Sequence, residues 1–269
     1  MSSLAATLSD SVVITKRNLI KVKRVPDLIV FATLSPIMFV LLFRYVFGGA
    51  IGGLPPGVSY AEFLLPGIFA QTIVLGSTTT GASIAEDLQK GLIDRFRSLP
   101  MARSAVLVGR TVADLGLNAI SIAVMALTGL VVGWRIHSSV PEAIAGFAVL
   151  LLFAYAISWF MALVGLLVRV PEVVNNASFM VIFPLTFLAN TFVPLESLPS
   201  VLRTFAEWNP VSAVVQAARD VFGNTSPLAP TPEVWSLQNP VLYTLIWVGV
   251  ILAVFVPLSV RRFGSAASR

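Results

Sequence analysis

Residues 28–47 read LIVFATLSPIMFVLLFRYVF, twenty positions with one basic side chain and no acidic one. A helix of about 20 apolar residues matches the ~30 Å hydrocarbon core of a bilayer. No water reaches a backbone group there, so each peptide must be satisfied within its own segment, as a helix does. Five more apolar runs follow, at 63–84, 112–133, 143–168, 177–193 and 241–260. Only 12% of the residues are charged, against roughly 25% in soluble domains, and 57% are hydrophobic. The expectation is an all-α membrane protein with six transmembrane helices.

Lysine and arginine set the orientation. With six spans, both termini share a side with the loops after spans two and four. That side carries Lys16, Arg17, Lys21, Lys23, Arg24, Lys90, Arg95, Arg97, Arg103, Arg110, Arg169, Arg261, Arg262 and Arg269, which is 14 of the 18 basic residues. The other holds Arg44, Arg135, Arg203 and Arg219. The positive-inside rule places both termini in the cytoplasm. The first 27 residues contain no continuous apolar core of a cleavable signal. Cysteine is absent, which excludes disulfides and thiolate metal sites. A net charge of +5 is scattered rather than gathered into a groove-sized patch, so nucleic acid is not an expected partner.

Two flanking regions have helical periodicity. In residues 1–27, Leu8, Val12, Thr15, Leu19 and Val22 fall near one face, with bases over much of the rest. That pattern suits an amphipathic helix in the cytoplasmic interface, or an ordinary basic anchor. In the outer region 194–235, Leu198, Leu202, Phe205 and Trp208 recur at helical spacing until Pro210, and a second short helix ends at Gly223. Pieces this short cannot span, so they are expected to be re-entrant or interfacial. The six-span domain is bounded at 28–260, with a cytoplasmic tail at 261–269.

The segment AEDLQKGLIDRFRSLPMAR, residues 85–103, breaks the apolar pattern. Leu88, Leu92, Phe96 and Leu99 make one helical stripe, while Glu86, Asp87, Lys90, Asp94, Arg95 and Arg97 cover the rest until Pro100. Orientation requires only positive charge, and acids contribute little to it. Three acids interleaved with three bases over 86–97 suit a docking surface better than a purely topogenic loop.

The order Glu86/Asp87, Gly91, Asp94-Arg95, Arg97, Leu99-Pro100 and Arg103 resembles the first cytoplasmic loop of type-2 ABC exporter permeases, in particular the daunorubicin-resistance-type subgroup. FVPLESLPSVLRTFAEWNPVSAVVQAAR is similar to that family's region between its last two spans. Many permeases of the wider family carry Gly-Thr in the cytoplasmic loop, where this chain has Gly91-Leu92. The resemblance implies that residues 86–100 contain a coupling helix that seats in a cytosolic ATPase subunit. Glu86, Asp87, Lys90, Gly91, Asp94, Arg95, Arg97 and Pro100 would then form the contact. It also implies re-entrant outer helices, a second permease copy or paralogue, and a bacterial plasma membrane location. ATP and magnesium would bind to the partner, with no cofactor on this chain.

The sequence itself agrees that catalysis lies elsewhere. It has no G-x-x-x-x-G-K-[ST] phosphate loop, no H-E-x-x-H and no G-x-S-x-G. His137, the single histidine, sits beside Trp134 and Arg135 at a span end and reads as a headgroup-level residue. Asn224-Thr225-Ser226 fits a glycosylation acceptor, a weak tripeptide signal. Asp114, one turn after Arg110, reads as a structural ion pair or as a coupling or proton-transfer group. Gln71, Thr72, Thr79, Asn176 and Asn190 are candidates for a translocation path, or for hydrogen bonding between helices. The expected cargo is hydrophobic or amphiphilic: a drug, an antibiotic or a lipid. Polysaccharide export would favour an aromatic row, and no clear row is visible in the sequence. A non-transporting membrane scaffold is the reading of another class.

Overall fold

The computed structural model describes residues 4–24, 26–47, 54, 57–92, 103–168, 170–192, 194–226, 228 and 232–265. All regular structure among them is helical. In chain order the helices are α1 (Leu4–Arg24), α2 (Pro26–Leu42), continued by a π-helical turn Phe43–Phe47, α3 (Tyr60–Gly76) and α4 (Thr78–Gln89). Then come α5 (Arg103–Val131), α6 (Val140–Leu167), α7 (Pro171–Phe187), α8 (Ser200–Trp208), α9 (Pro210–Phe222), α10 (Trp235–Gln238) and α11 (Pro240–Ser265). Four stretches are long and apolar enough to cross a membrane: Tyr60–Gln89, Ser104–Val131, Val140–Leu167 and Pro240–Gly264. Helices α2 and α7 are shorter, at 17 residues each.

Local chemistry accounts for the boundaries. Ser59 and Glu62 cap α3 reciprocally: the Glu62 carboxylate accepts from the Ser59 N–H at 2.8 Å, and the Glu62 N–H donates to Ser59 Oγ at 3.3 Å. Pro171, Pro210 and Pro240 each open a helix, where a missing N–H costs nothing. Asn209 caps α9 through its Oδ1, which accepts from the Val211 N–H at 2.9 Å, and Gly223 closes that helix in the left-handed region at φ +70°.

The stretch Tyr60–Gln89 is not one helix. It divides at Ser77, where the hydroxyls of Ser77, Thr78 and Thr79 donate to the carbonyls of Val74, Leu75 and Gly76, at 2.6–2.7 Å. Hydroxyls bonded back onto their own turn compete with the backbone ladder and bend helices. Ser77 therefore separates α3 from α4.

Helix α6 is the centre, packed against α3, α4, α5, α9 and α11. Association within a bilayer depends on packing and close approach rather than on the hydrophobic effect, which favours small residues at contacts. A Cβ added to Gly165 would lie 2.2 Å from the Gly81 carbonyl oxygen, so α6 and α4 meet backbone to backbone. Helix α3 is buried on nearly every side, as a predominantly apolar helix inside a larger core should be.

Both flanking regions are helical. α1 does pack against a neighbour, but through Ser11, Ile14, Thr15 and Asn18 onto α5, while Val12 and Val13 are exposed. Helix α8 forms as its spacing predicts; Leu202 and Phe205 face outward, while the partly exposed Trp208 packs edge-on against Tyr243 of α11, ring centroids 6.2 Å apart.

Candidate functional site

Of the residues expected to contact an ATPase, those that the structure describes lie at the end of α4. Glu86 and Lys90 form an ion pair one turn apart, largely open to solvent. The Glu86 carboxylate accepts a hydrogen bond from the Lys90 ammonium, and that bond with its charge holds the lysine above its ordinary range. Asp87 is half-buried. The helix stops at Gln89, Lys90 is its C-cap, and Gly91 adopts φ +63°. The single continuous helix expected over 86–99 is thus interrupted at Gly91, whose left-handed backbone ends the hydrogen-bonded run. Asp94, Arg95, Arg97 and Pro100 lie outside the described residues.

The path candidates do not converge on one surface. Thr79 on α4 and Asn176 on α7 are exposed, and their helices pack together. Thr72 is half-buried, while Gln71 is buried in α3. Asn190 is buried in the turn after α7, where its Nδ2 donates to Gln216 Oε1 at 3.3 Å.

Asn190 belongs to a cluster that the sequence did not mark. Arg219 of α9 is 3% exposed. Its Nε donates to the Phe63 carbonyl at 2.9 Å and its Nη2 to the Asn190 carbonyl at 2.6 Å. This arginine joins α9, α3 and the turn after α7. Charge counting assigned it only to the outer side, because nothing in the sequence distinguishes a buried base from an exposed one.

An aromatic ladder also went unseen. Phe179, Phe183 and Phe187 stack along α7 with centroids 4.9 and 4.2 Å apart. Phe192 continues the row at 4.9 Å, then Phe43 at 4.4 Å and Phe39 at 6.0 Å. The i, i+4 spacing of the first three was readable, but their junction with α2 through Phe192 is tertiary. All three α7 rings are exposed, and Asn176 lies on the same helical face. The absence of a clear aromatic row, as read from the sequence, is therefore corrected.

Asp114 is in an ion pair with Arg110, Nε to Oδ2 at 3.0 Å, and Thr80 donates to the same oxygen at 2.7 Å. His137 meets the Glu62 carboxylate at 2.6 Å and remains exposed. Asn224 is buried, its Oδ1 accepting from Trp134 Nε1 and its Nδ2 donating to the Arg135 carbonyl, both at 2.8 Å. An amide so engaged offers no acceptor for a glycan, which sets the tripeptide reading aside.

Residues 10–222 match the model of the family described as ABC-2 type transporter. The chain is 31% identical, over 92% of its own length and 83% of the relative's, to the daunorubicin resistance ABC transporter permease protein DrrB1 of Streptomyces coeruleorubidus. It is 27% identical, over 81% of its length and 78% of the relative's, to the doxorubicin resistance ABC transporter permease protein DrrB of Mycobacterium tuberculosis. A polytopic helical chain whose charged helix end sits between apolar spans, matched over most of its length, belongs to the ABC-2 type transporter family of membrane permeases.

Proposed function

We propose that this chain is the permease subunit of an ATP-driven exporter that moves a hydrophobic or amphiphilic compound out of a bacterial cell. It works with a second permease copy or paralogue and with cytosolic ATPase subunits, which bind ATP and magnesium. Six spans cross the plasma membrane, α2 and α7 being the two short ones, and both termini are cytoplasmic. Helix α1 lies in the inner interface with Val12 and Val13 toward lipid. Helices α8 and α9 form the re-entrant outer region. Glu86, Asp87, Lys90 and Gly91, with Asp94, Arg95, Arg97 and Pro100 beyond them, meet the ATPase.

The observation that carries the cargo class is the α7 face. Stacked rings flanked by exposed Val173 and Met180 offer an apolar track, and Asn176 adds one amide on the same side. An uncompensated amide facing hydrocarbon is costly, so this face suits a path shared with a second copy better than lipid. Aromatic rows also favour sugars, which makes polysaccharide the second reading. Sugar recognition pairs stacking with many hydrogen-bonding groups, however, and this row has few beside it. The relatives named for daunorubicin and doxorubicin resistance support the lipophilic reading.

The test is ATP-dependent uptake of daunorubicin into inside-out vesicles carrying this chain and its ATPase. Uptake should require both proteins and fall when Phe179 and Phe183 are replaced by alanine. Assembly without uptake of daunorubicin, but with transport of a lipid-linked polysaccharide, would reverse the choice of cargo. Assembly with no ATP-dependent transport of either would favour the scaffold. In intact cells, single cysteines at Pro141 and Thr204 should react with an impermeant thiol reagent and one at Gln89 should not.

A further inference from the structure

Four side chains cross-link α4 to α5 just past the bend at Ser77. Thr80 Oγ1 donates to Asp114 Oδ2 at 2.7 Å, Arg110 Nε donates to the same oxygen at 3.0 Å, and Arg110 Nη2 donates to Ser83 Oγ at 2.6 Å. Asp114 is 2% exposed. On the far side of α5, the contact with α1 is equally close. A Cβ on Gly109 would meet Ile14 at 2.6 Å, and Thr15 Oγ1 reaches the Gly109 carbonyl at 3.3 Å.

We propose that this Thr80–Asp114–Arg110–Ser83 network is a latch. It delivers movement of the coupling segment to α5, and through Gly109 to α1, with Arg110 and Asp114 as positioning residues for transport. The inference rests on the coupling role proposed above for Glu86–Gly91.

Placement is the first support. Helix α4 has a bend at one end, where three hydroxyls loosen the backbone ladder, and the charged helix end at the other. A short helix so held is a lever, and the latch sits along its length. Chemistry is the second. Stability alone would be met by apolar packing, as α4 already achieves against α6 at Gly81 and Gly165. An ion pair taken out of water adds little net stability over an apolar pair of equal volume. What it supplies is direction: hydrogen bonds to a fork-shaped cation exist in discrete arrangements, whereas apolar surfaces slide. Ionisable groups within membrane spans are therefore read first as functional. A third support is convergence. Ile14, Arg17, Ile84, Asp87, Arg110 and Phe263, from α1, α4, α5 and α11, line one small cleft beside the latch.

The experiment uses the full complex with its ATPase in lipid nanodiscs, and the native lack of cysteine allows paired spin labels at chosen sites. One pair, at Gln89 and Val112, reports α4 against α5; a second, at Gln89 and Ile144, reports the α4 end against the outer end of α6. In the unaltered chain, ATP trapping should change the second distance and leave the first constant. In Thr80→Val and Ser83→Ala, the first distance should also change with nucleotide, and ATP hydrolysed per daunorubicin moved should rise about fivefold or more, the low end of measured coupling energies. Ser83→Thr, which keeps the hydroxyl, should restore both. If Thr80→Val fails to fold, Ser83→Ala carries the test alone, because Ser83 is only half-buried. Variants that keep the Gln89–Val112 distance constant and the hydrolysis ratio unchanged overturn the latch while leaving the coupling reading intact. An unaltered complex whose Gln89–Ile144 distance ignores nucleotide overturns the coupling reading, and the latch with it.

Discussion

The guanidinium carbon of Arg219 lies 3.7 Å from the centroid of the Phe63 ring, while Nε of the same group donates to the Phe63 backbone carbonyl. One residue of α3 thus receives both the face and the edge of a buried cation, and the opposite edge reaches Asn190. Lysine at 219 would keep the charge but lose the planar fork. Losing one charge-assisted hydrogen bond costs about 1.5–3 kcal/mol, and Arg219→Lys should destabilise the folded chain by that amount. Equilibrium unfolding in detergent measures it. A lysine variant as stable as the parent would show that the fork does not hold the outer junction.

The contact between α4 and α6 leaves no room for a methyl group. At Gly165 the obstacle is the Gly81 backbone, which cannot rotate away, so Gly165→Ala must separate the helices. Overpacking of this kind costs roughly 1–3 kcal/mol. Gly249 in α11 meets nothing within 4 Å, and Gly249→Ala should leave thermal stability in detergent unchanged or slightly raised. Equal melting shifts for the two variants would mean that α4 and α6 are not clasped at this point.

Much of this architecture was legible from the chain, and the limits have physical causes. The apolar runs located the helices because lipid demands long uncharged segments. The end of α9 at Gly223 was readable because only a left-handed residue closes it cheaply. The pairing of Arg110 with Asp114 followed from one-turn spacing. What escaped were relations between elements. Thr80 and Ser83 are ordinary helix residues until α5 is placed beside them. The phenylalanine row crosses from α7 to α2 only through Phe192 in a turn. The break at Gly91 went unnoticed because a stripe at helical spacing ran straight through it.

Asp220 gives stability a pH dependence. It lies at the end of α9 with its edge still open to solvent, yet packing around it strips enough water to push its carboxyl up to about 6, against the opposing Gln216 hydrogen bond and Arg219 charge. A folded-state value above the ordinary 3.8 means that the folded chain binds the proton more tightly than the unfolded one. Its contribution to stability is therefore full below 3.8 and is lost as pH rises through about 6. Asp220→Asn should remove that component. Melting temperature followed across this window should fall with pH in the parent relative to the variant, and parallel curves would show that the carboxyl titrates normally.

Gly91 separates two effects at the end of α4 proposed to meet the ATPase. Among the described residues a side chain there would meet nothing within 4 Å, so substitution acts through the backbone, at φ +63°. Asparagine tolerates the left-handed region, whereas valine, branched at Cβ, does not. The penalty for an ordinary residue is about 1–2 kcal/mol, which either strains the break after Lys90 or lets α4 run on and re-aim the segment beyond. Gly91→Asn should therefore bind the ATPase as the parent does. Gly91→Val should insert normally but bind about tenfold more weakly, since 1.4 kcal/mol corresponds to that factor. Titrating labelled ATPase onto the chain in nanodiscs reads both. Equal affinities for the two variants would mean that the left-handed turn at Gly91 does not aim the coupling segment at its partner.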